Sequence, residues 1–256
     1  MRLLLPGRPP VAVRVHRPSG ARVPAGLLVW AHGGSWQYGS AAAWQGATAA
    51  LARLSRWQVI SVDYRLAPAH RHPRALEDVL TALAWAQGVA AAQSLPVAVG
   101  GDSAGGTLAA VAALAARDRG VPPVAQVLAY PPFDPTASSP SYHRDPHAFP
   151  QPAVLRAAWR AWRGDGAAAV HAGDGTRLYT TPWEAPTLAG LPPAILAVGA
   201  HDPVRDDVEH YARRLSHDGV PVRLLHPPGA AHGDVLRPDS PVITHLAHAL
   251  TQEDLS

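Results

Sequence analysis

Short apolar runs recur along this chain and are separated by longer stretches in which apolar residues repeat with a helical period. Two such runs, residues 3–5 and 11–15, flank the turn sequence PGRPP and predict an N-terminal β-hairpin. Short apolar runs bounded by turn residues are typical of buried strands. They predict further strands at residues 27–31, 59–62, 97–99, 124–129, 194–198 and 222–225.

The stretch between residues 73 and 87 has the apolar spacing of an amphipathic helix. Its apolar side chains fall at positions i, i+3, i+4, i+7 and i+8 counted from Leu76, and Pro73 suits a first helical turn. Similar spacing predicts helices at residues 41–54, 104–116, 204–215 and 241–250. A hairpin followed by alternating strands and helices predicts an α/β fold, with a mostly parallel sheet of about eight strands and helices on both faces.

Residues 132–186 depart from this alternation. The stretch is rich in Pro, Asp, Ser and Gly, contains three tryptophans and offers one helical pattern, at residues 153–162. A loop-rich segment of this length is usually functional or disordered rather than a simple connection. We therefore predict one domain over residues 1–256, with a lid or cap inserted at about residues 133–186.

The composition is that of an ordinary globular protein, with 47% hydrophobic and 16% charged residues among 256. All 22 basic residues are arginine, against 19 acidic residues, and they are scattered along the chain. The sequence pI of 9.7 reflects a titration curve that is nearly flat between the ordinary pKa values of histidine and tyrosine. The charge therefore gives no reason to expect nucleic acid as a partner.

The lack of cysteine in the sequence excludes disulfides, thiolate metal ligands and a cysteine nucleophile. No stretch approaches the ~18 apolar residues of a membrane span, and the apolar run at residues 3–5 is too short for the core of a signal peptide. We therefore expect no membrane association and a cytoplasmic location. The sequence indicates no oligomeric state.

The sequence GDSAG at residues 101–105 follows the predicted strand at 97–99 and leads into a predicted helix. In this context, small residues two before and two after Ser103 permit a tight, strained turn that lifts its hydroxyl above the sheet edge. Ser103 is therefore a candidate nucleophile. The alternative is an ordinary glycine-rich turn between strand and helix, such as a phosphate cradle.

A second glycine-rich sequence, HGGSW at residues 32–36, comes directly after the predicted strand at 27–31. Acyl transfer needs fixed hydrogen-bond donors at the point where a carbonyl oxygen becomes negative. The backbone N–H groups of Gly33 and Gly34, together with that of Ala104, are candidates for such an oxyanion hole. Without the nucleophile motif, the same glycines would indicate a simple turn.

An acid and a histidine complete the chemistry of a hydroxyl nucleophile, and in this architecture they follow the serine in that order. Asp202 and His232 both follow predicted strands, where the loops of a parallel sheet converge. Their rivals near the same loops are His201, His226, Asp206, Asp207 and Asp234. A metal site at the histidines of positions 70 and 72, or 143 and 147, is disfavoured because neither pair has a third ligand at a matching spacing.

Together these motifs resemble the hormone-sensitive-lipase family of α/β-hydrolase esterases. The resemblance rests on HGGSW at 32–36, DYRLAPAHRHPRALEDV at 63–79, GDSAGG at 101–106, YPPFD at 130–134, and the sequence from LAGLPPAILAVGAHDPVRDD at 188–207 to GAAHG at 229–233. It implies an α/β-hydrolase fold in which Ser103 is the nucleophile, His232 the general base and then acid, and Asp202 the residue that orients the imidazole. The same resemblance gives the oxyanion-hole role to Gly33, Gly34 and Ala104.

The sequence departs from that family in two places. Family members commonly carry an N-terminal helical cap ahead of the first strands, whereas this chain enters the hairpin at once, so we expect a more open site covered mainly by residues 133–186. Candidate substrate-binding residues are the aromatic side chains Trp36, Tyr38, Trp44, Trp159, Trp162 and Trp183. The aromatic residue usual after the His-Gly pair is replaced by Asp234, which we expect to face solvent.

The resemblance implies a serine carboxylesterase that hydrolyses small, short-acyl esters through an acyl-enzyme intermediate, with no cofactor and no metal. One alternative is an amidase such as an arylformamidase, which the sequence HGGSWQ also resembles. Another is a catalytically silent hydrolase-fold protein that binds a small ligand, as the gibberellin receptor does. The complete set of Ser103, Asp202 and His232 argues against the silent protein.

Overall fold

The computed structural model describes residues 1–7, 9–18, 20, 23–164 and 169–252. Its strands are β1 Arg2–Leu5, β2 Val11–His16, β3 Leu27–Ala31, β4 Gln58–Asp63, β5 Val97–Asp102, β6 Gln126–Ala129, β7 Val170–His171, β8 Arg177–Leu178, β9 Ala194–Ala197 and β10 Val222–Leu225. Eight of them form one sheet in the order β1-β2-β4-β3-β5-β6-β9-β10, and β7 pairs separately with β8. This mostly parallel sheet confirms the predicted fold class.

Six α-helices connect the strands of the described chain. They are α1 Gln45–Ser55, α2 Arg74–Ala91, α3 Ala104–Asp118, α4 Pro152–Arg163, α5 Arg205–His217 and α6 Pro241–Thr251. Helix α1 packs against α6, and α2 packs against α3, so that helices cover both faces of the sheet. No helix in the described ranges is long and apolar enough to cross a membrane.

The parallel part of the sheet brings the candidate residues to one edge. Neighbouring strands from β4 to β10 pair in parallel, and the β1–β2 hairpin adds antiparallel pairs at one side. The loops after parallel strands converge where their carboxyl ends meet. Residues 32–36 follow β3, Ser103 follows β5, and Asp202 and His232 come in the loops after β9 and β10. The topology therefore places all of these motifs on the same side of the sheet.

Helix α3 lies at the centre of the core. Every residue from Ala104 to Ala116 is buried, because α3 contacts β5 and β6 as well as α2 and β8. A helix that is apolar on all sides is stable only when it is surrounded in this way. The buried helix therefore holds Ser103, the residue directly before α3, in a fixed position.

Residues 132–186 lie between β6 and β9 and contain α4, the two-stranded sheet and two 3-10 turns. The Trp162 indole of α4 stacks on that of Trp36 with ring centroids 4.6 Å apart. The backbone N–H of His72 donates to the carbonyl oxygen of Trp162. These contacts attach α4 to the loop after β3. The lid role and the single-domain organisation stay predictions, and residues 165–168 of the predicted lid lie outside the described ranges.

Candidate active site

Ser103 stands at a sharp turn between β5 and α3. Its backbone φ of 50° and ψ of −123° lie in a region that non-glycine residues rarely adopt. Gly101 and Gly105 permit the turn, because a Cβ on either would collide with the carbonyl oxygen of Ala31. The Ser103 N–H donates to the carbonyl oxygen of Ala129 in β6. The turn is therefore held by the strands on both sides of β5, as in a nucleophile elbow.

Ser103, His232 and Asp202 form a continuous chain of hydrogen bonds. Ser103 Oγ lies 2.9 Å from His232 Nε2, and His232 Nδ1 lies 3.0 Å from Asp202 Oδ1. A carboxylate only accepts hydrogen bonds, so Nδ1 carries the proton and Nε2 has a free lone pair. The Ser103 hydroxyl therefore donates to Nε2, which is the arrangement that a serine nucleophile and its base require.

Burial and neighbouring contacts fix the imidazole and the carboxylate. The side chains of His232 and Asp202 are 3% and 0% exposed, and Asp202 also accepts a hydrogen bond from the Val204 N–H. The Tyr130 ring packs against the imidazole with centroids 4.7 Å apart, and its hydroxyl oxygen accepts from the Val235 N–H. Tyr130 therefore holds the segment that carries His232 against the end of β6.

The competing residues have other positions and partners. His201 and His226 are exposed, and His226 Nδ1 lies 3.2 Å from a backbone carbonyl oxygen of the loop after β9. The carboxylates of Asp206 and Asp207 accept hydrogen bonds from backbone N–H groups of residues 133–141. The structure thus brings Asp202 and His232, rather than these rivals, to Ser103.

The prediction that Asp234 faces solvent is wrong. Asp234 is 3% exposed, and its carboxylate accepts a hydrogen bond from the Ser240 hydroxyl at 2.9 Å and pairs with Arg237. Ser240 is the N-cap of α6, where its hydroxyl oxygen accepts from the Ile243 N–H and where a negative charge is favoured. Asp234 thus ties the turn after His232 to the start of α6.

The loop after β3 presents Gly34 and Ser35 to the site. Both line the cavity at Ser103, and their φ angles are positive, 108° and 55°. The Tyr38 N–H donates to the Gly34 carbonyl oxygen, which closes the loop into a tight turn. Ala104 is buried in the first turn of α3, where backbone N–H groups have no acceptor within the helix. Two backbone segments, the loop after β3 and the start of α3, therefore meet near the nucleophile.

Gly33 lies against a second buried carboxylate, that of Asp102. A Cβ on Gly33 would lie 2.5 Å from Asp102 Oδ2, so the Gly33 backbone packs directly against this carboxylate. The indole N–H groups of Trp30 and Trp44 donate to it at 3.2 and 3.0 Å. Burial raises the pKa of Asp102 to about 6, although these hydrogen bonds favour the ionised form. Gly33 thus lies against Asp102, and it is not among the residues that line the cavity at Ser103.

His32 fixes the start of the same loop. Its ring stacks on that of Tyr64 with centroids 4.2 Å apart, and the Tyr64 hydroxyl donates to the His32 carbonyl oxygen. His32 Nδ1 lies 2.7 Å from the Gly33 carbonyl oxygen. Burial lowers the pKa of His32, so the ring is neutral at pH 7. His32 therefore shapes the loop without bringing a charge to the site.

A cavity of about 160 Å³ opens at Ser103. Besides Asp102, Ser103, His232 and the glycine-rich loop after β3, its wall is apolar. The apolar lining residues are Trp44, Phe149, Pro150, Leu155 and Leu236. The volume is about half of the ~300 Å³ at which pockets for small-molecule ligands begin. The space therefore admits a small group next to the nucleophile.

One of the six aromatic residues predicted to bind substrate, Trp44, lines this cavity. Three others form a buried cluster with centroid distances from 4.5 to 5.5 Å, namely Trp36, Trp159 and Trp162. Tyr38 is 70% exposed, and Trp183 packs against α5. The structure therefore brings one aromatic side chain of the set to the cavity and uses three to join α4 to the loop after β3.

The described residues contain no group of three or more His, Asp or Glu side chains arranged to hold a metal ion. Of the histidines weighed as ligands, His72 places Nε2 at 3.1 Å from the Leu178 carbonyl oxygen, and burial lowers its pKa. His70, His143 and His147 are exposed. His72 thus contacts β8, and the other three face solvent.

Several residues at the site were not identified from the sequence, among them Ser35, Asp102, Tyr130 and Phe149. The first three lie inside the sequence motifs, so their closeness to predicted catalytic residues was the available signal. Phe149 belongs to the irregular part of residues 132–186, where no periodicity indicates which side chain turns to the cavity.

A family model, Abhydrolase_3, described as alpha/beta hydrolase fold, matches residues 28–236. The matched span runs from β3 to the turn after His232. It therefore contains the glycine-rich loop after β3, Ser103, Asp202 and His232, which are the parts of the site described above.

Curated proteins similar to this chain carry esterase names. Over 231 residues, the chain is 39% identical to Carboxylesterase NlhH of Mycobacterium tuberculosis (strain ATCC 25618 / H37Rv), covering 88% of this chain and 71% of that protein. Over 232 residues, it is 38% identical to Carboxylic ester hydrolase LipN of the same organism, covering 87% and 60%. Among solved structures, a hyperthermophilic esterase from Pyrobaculum calidifontis matches with a TM-score of 0.88 at 31% identity, covering 100% of this chain and 86% of that one.

Proposed function

Because the chain belongs to the Abhydrolase_3 family of α/β hydrolases, the hormone-sensitive-lipase-like esterases, we propose that it is a serine carboxylesterase. Its substrates are small, neutral esters with a short acyl group, hydrolysed through an acyl-enzyme on Ser103. The observation that carries the proposal is the unbroken chain of hydrogen bonds from Ser103 through His232 to Asp202 beside a small apolar cavity. The names of the relatives support the same reaction class.

Attack on the ester begins at the Ser103 hydroxyl. As Oγ forms a bond to the carbonyl carbon, its proton passes to His232 Nε2, 2.9 Å away. The imidazole becomes positively charged, and the carboxylate of Asp202 stabilises this charge through the hydrogen bond from Nδ1. The buried position of both side chains strengthens that stabilisation, because little water competes for the carboxylate.

The carbonyl oxygen becomes negative in the tetrahedral intermediate and needs N–H donors. We assign this role to the backbone of Gly34, Ser35 and Ala104, because the first two line the cavity and Ala104 follows the nucleophile. Ser35 takes the place of Gly33 in the set predicted from the sequence, since Ser35 lines the cavity whereas Gly33 lies against Asp102. One such donor contributes about 10²- to 10³-fold to kcat in a serine protease.

The proton on His232 then passes to the alcohol oxygen of the substrate. The bond between this oxygen and the acyl carbon breaks, and the acyl group remains on Ser103 as an ester. Water next gives a proton to His232 Nε2 and attacks the acyl carbon, which again places a negative oxygen among the same donors. Ser103 regains its proton as the carboxylic acid leaves, so one relay serves both half-reactions.

Hydrolysis of p-nitrophenyl acetate, butanoate and octanoate tests the proposal. We expect Ser103→Ala to lower kcat/KM at least about 10⁴-fold, whereas Ser216→Ala, at an exposed serine of α5, keeps the wild-type rate. Activity that survives in Ser103→Ala contradicts the assignment of the nucleophile. Faster turnover of N-formylkynurenine than of any ester indicates an amidase, and absence of all turnover indicates a silent ligand-binding protein.

A further inference from the structure

Two large apolar side chains stay exposed at the mouth of the cavity. Phe149 is 63% exposed and Leu236 is 52% exposed, yet both line the cavity at Ser103. Most other large apolar side chains of the described residues are packed in the core. Exposed apolar surface beside a reactive pocket marks a place that a ligand covers.

The cavity at Ser103 is small for an ester with two long arms. Its 160 Å³ is about half of the ~300 Å³ at which pockets for small-molecule ligands begin. It therefore holds the ester carbonyl and one short chain. The second arm of a larger ester has to lie outside this space, on the exposed faces of Phe149 and Leu236.

The direction of proton transfer decides which arm lies there. His232 Nε2 delivers its proton to the alcohol oxygen, so the alcohol arm lies on the imidazole side of the carbonyl carbon. The Phe149 ring meets the His232 ring edge-on, with centroids 5.8 Å apart, and Leu236 ends the short turn that follows His232. The acyl arm then lies on the other side of the carbonyl carbon, against the buried side chains of Trp44 and Leu155.

The lining of the cavity disfavours a charged arm. Among the described residues that form it there is neither lysine nor arginine, so a carboxylate or phosphate on the substrate meets no counter-ion. The Asp102 carboxylate, which already accepts two indole N–H groups, repels an anion. An apolar arm, in contrast, covers the exposed carbon surface of Phe149 and Leu236 and is stabilised by leaving water.

We propose that Phe149 and Leu236 form an alcohol subsite that selects esters of larger apolar alcohols, such as hexyl or benzyl, with short acyl groups. This proposal rests on the serine esterase mechanism proposed above. Each methylene of the alcohol that is fully covered raises kcat/KM by up to about fourfold. The acyl series reaches its limit once the small cavity at Ser103 is full.

Two substrate series separate the arms of the ester. Methyl, butyl, hexyl and benzyl acetate vary the alcohol, and the methyl esters of acetate, butanoate, hexanoate and octanoate vary the acyl group. Acid release in a pH-stat gives kcat/KM for the wild type, Phe149→Ala, Leu236→Ala and the control Val121→Ala, whose side chain is 52% exposed beyond the end of α3.

We expect the wild-type kcat/KM to rise with the length of the alcohol. Phe149→Ala should lower the ratio of hexyl acetate to methyl acetate about tenfold, mainly through KM, because the covered apolar area is lost. Leu236→Ala should act in the same direction, and Val121→Ala should keep the wild-type ratio.

Equal effects of Phe149→Ala on all alkyl acetates overturn the subsite, because they indicate packing on His232 rather than selection of the alcohol. A loss of length dependence in the acyl series instead of the alcohol series overturns it as well. A fluorophosphonate that labels Ser103 tests the proposed function separately. A wild-type protein that is labelled and cleaves methyl acetate, but shows no alcohol preference, contradicts the subsite alone. Absence of both labelling and turnover contradicts the serine esterase and the subsite together.

Discussion

Asp102 lies next to the nucleophile but outside the proton relay. Its carboxylate accepts hydrogen bonds from the indoles of Trp30 in β3 and Trp44 at the start of α1, and it lies against Gly33. One carboxylate therefore links the ends of β3 and β5, the loop after β3 and the start of α1. We infer that Asp102 positions the loop after β3, with Gly34 and Ser35, relative to Ser103.

Asp102→Asn is expected to lower kcat about tenfold, with a smaller change in KM. An amide oxygen can accept from one indole, but the NH₂ group leaves the other buried indole N–H without an acceptor, at a cost of ~1–3 kcal/mol. Steady-state kinetics at pH 8 measure the effect, because Asp102 with a pKa of about 6 is ionised there. The control is Asp239→Asn, whose carboxylate is 80% exposed. Equal kcat values for the two variants would show that Asp102 does not position the loop.

The candidate catalytic residues can be predicted from the sequence because each lies in a short motif after a strand. Their supporting partners cannot, because the contacts join residues far apart along the chain. The hydrogen bonds from Trp30 and Trp44 to Asp102 join residues 72 and 58 positions apart along the chain. No local sequence pattern predicts such hydrogen bonds. The error at Asp234 has a local origin, since the side chain turns to Ser240, six positions further along at the start of α6, rather than to solvent.

Between elements, Asp207 connects α5 to the start of residues 132–186. In the first turn of α5, its carboxylate accepts hydrogen bonds from the N–H groups of Phe133 and Asp134, each at 2.8 Å, and from the Tyr142 hydroxyl. Burial raises the pKa of Asp207 to about 6, although the two N–H groups favour the ionised form. The carboxylate thus fixes the chain where it leaves the sheet.

Asp207→Asn is expected to reduce the pH dependence of stability between pH 4 and 7. The folded protein keeps the proton on Asp207 up to about pH 6, whereas the unfolded chain loses it near the ordinary aspartate pKa of 3.8. The folded state therefore binds more protons in this window, and the free energy of unfolding of the wild type falls as the pH rises through it. This group contributes a decrease on the order of 3 kcal/mol, which the asparagine variant lacks.

Urea denaturation at several pH values gives the free energy of unfolding of the wild type and of Asp207→Asn, and the slopes of these two free energies against pH are then compared. The matched control is again Asp239→Asn, at an exposed carboxylate, and it should keep the wild-type slope. Parallel curves for the wild type and Asp207→Asn would contradict a raised pKa at this position.

Helix α1 shows why the exact ends of helices and strands cannot be predicted from the sequence. The apolar pattern predicts a helix from residue 41, whereas α1 begins at Gln45. The Ala41 N–H donates to the carboxylate of Asp63 at the end of β4, which holds residues 41–44 in a turn and brings Trp44 to Asp102. An alanine-rich sequence favours helix at these positions, and tertiary contacts override that preference.

At the scale of the whole molecule, the alternation of strands and helices predicts the architecture because each pair buries its apolar faces only on a common sheet. The parallel order then brings loops from distant parts of the chain to one edge. The course of residues 132–186 depends instead on tertiary contacts such as the Trp36–Trp162 stack. The cavity is bounded by Phe149 and Leu155 of that segment, so its size and opening cannot be inferred from the sequence.

The function proposed for the molecule depends on one covalent bond, the ester between Ser103 Oγ and the acyl group. The most direct measurement is mass spectrometry of the protein quenched in acid during the first turnovers of p-nitrophenyl butanoate, followed by peptide mapping. We predict one butanoyl group on the peptide that carries Ser103 in the wild type, and none in Ser103→Ala. An acyl group on another residue of the wild type, or wild-type turnover by Ser103→Ala, would contradict the proposed mechanism.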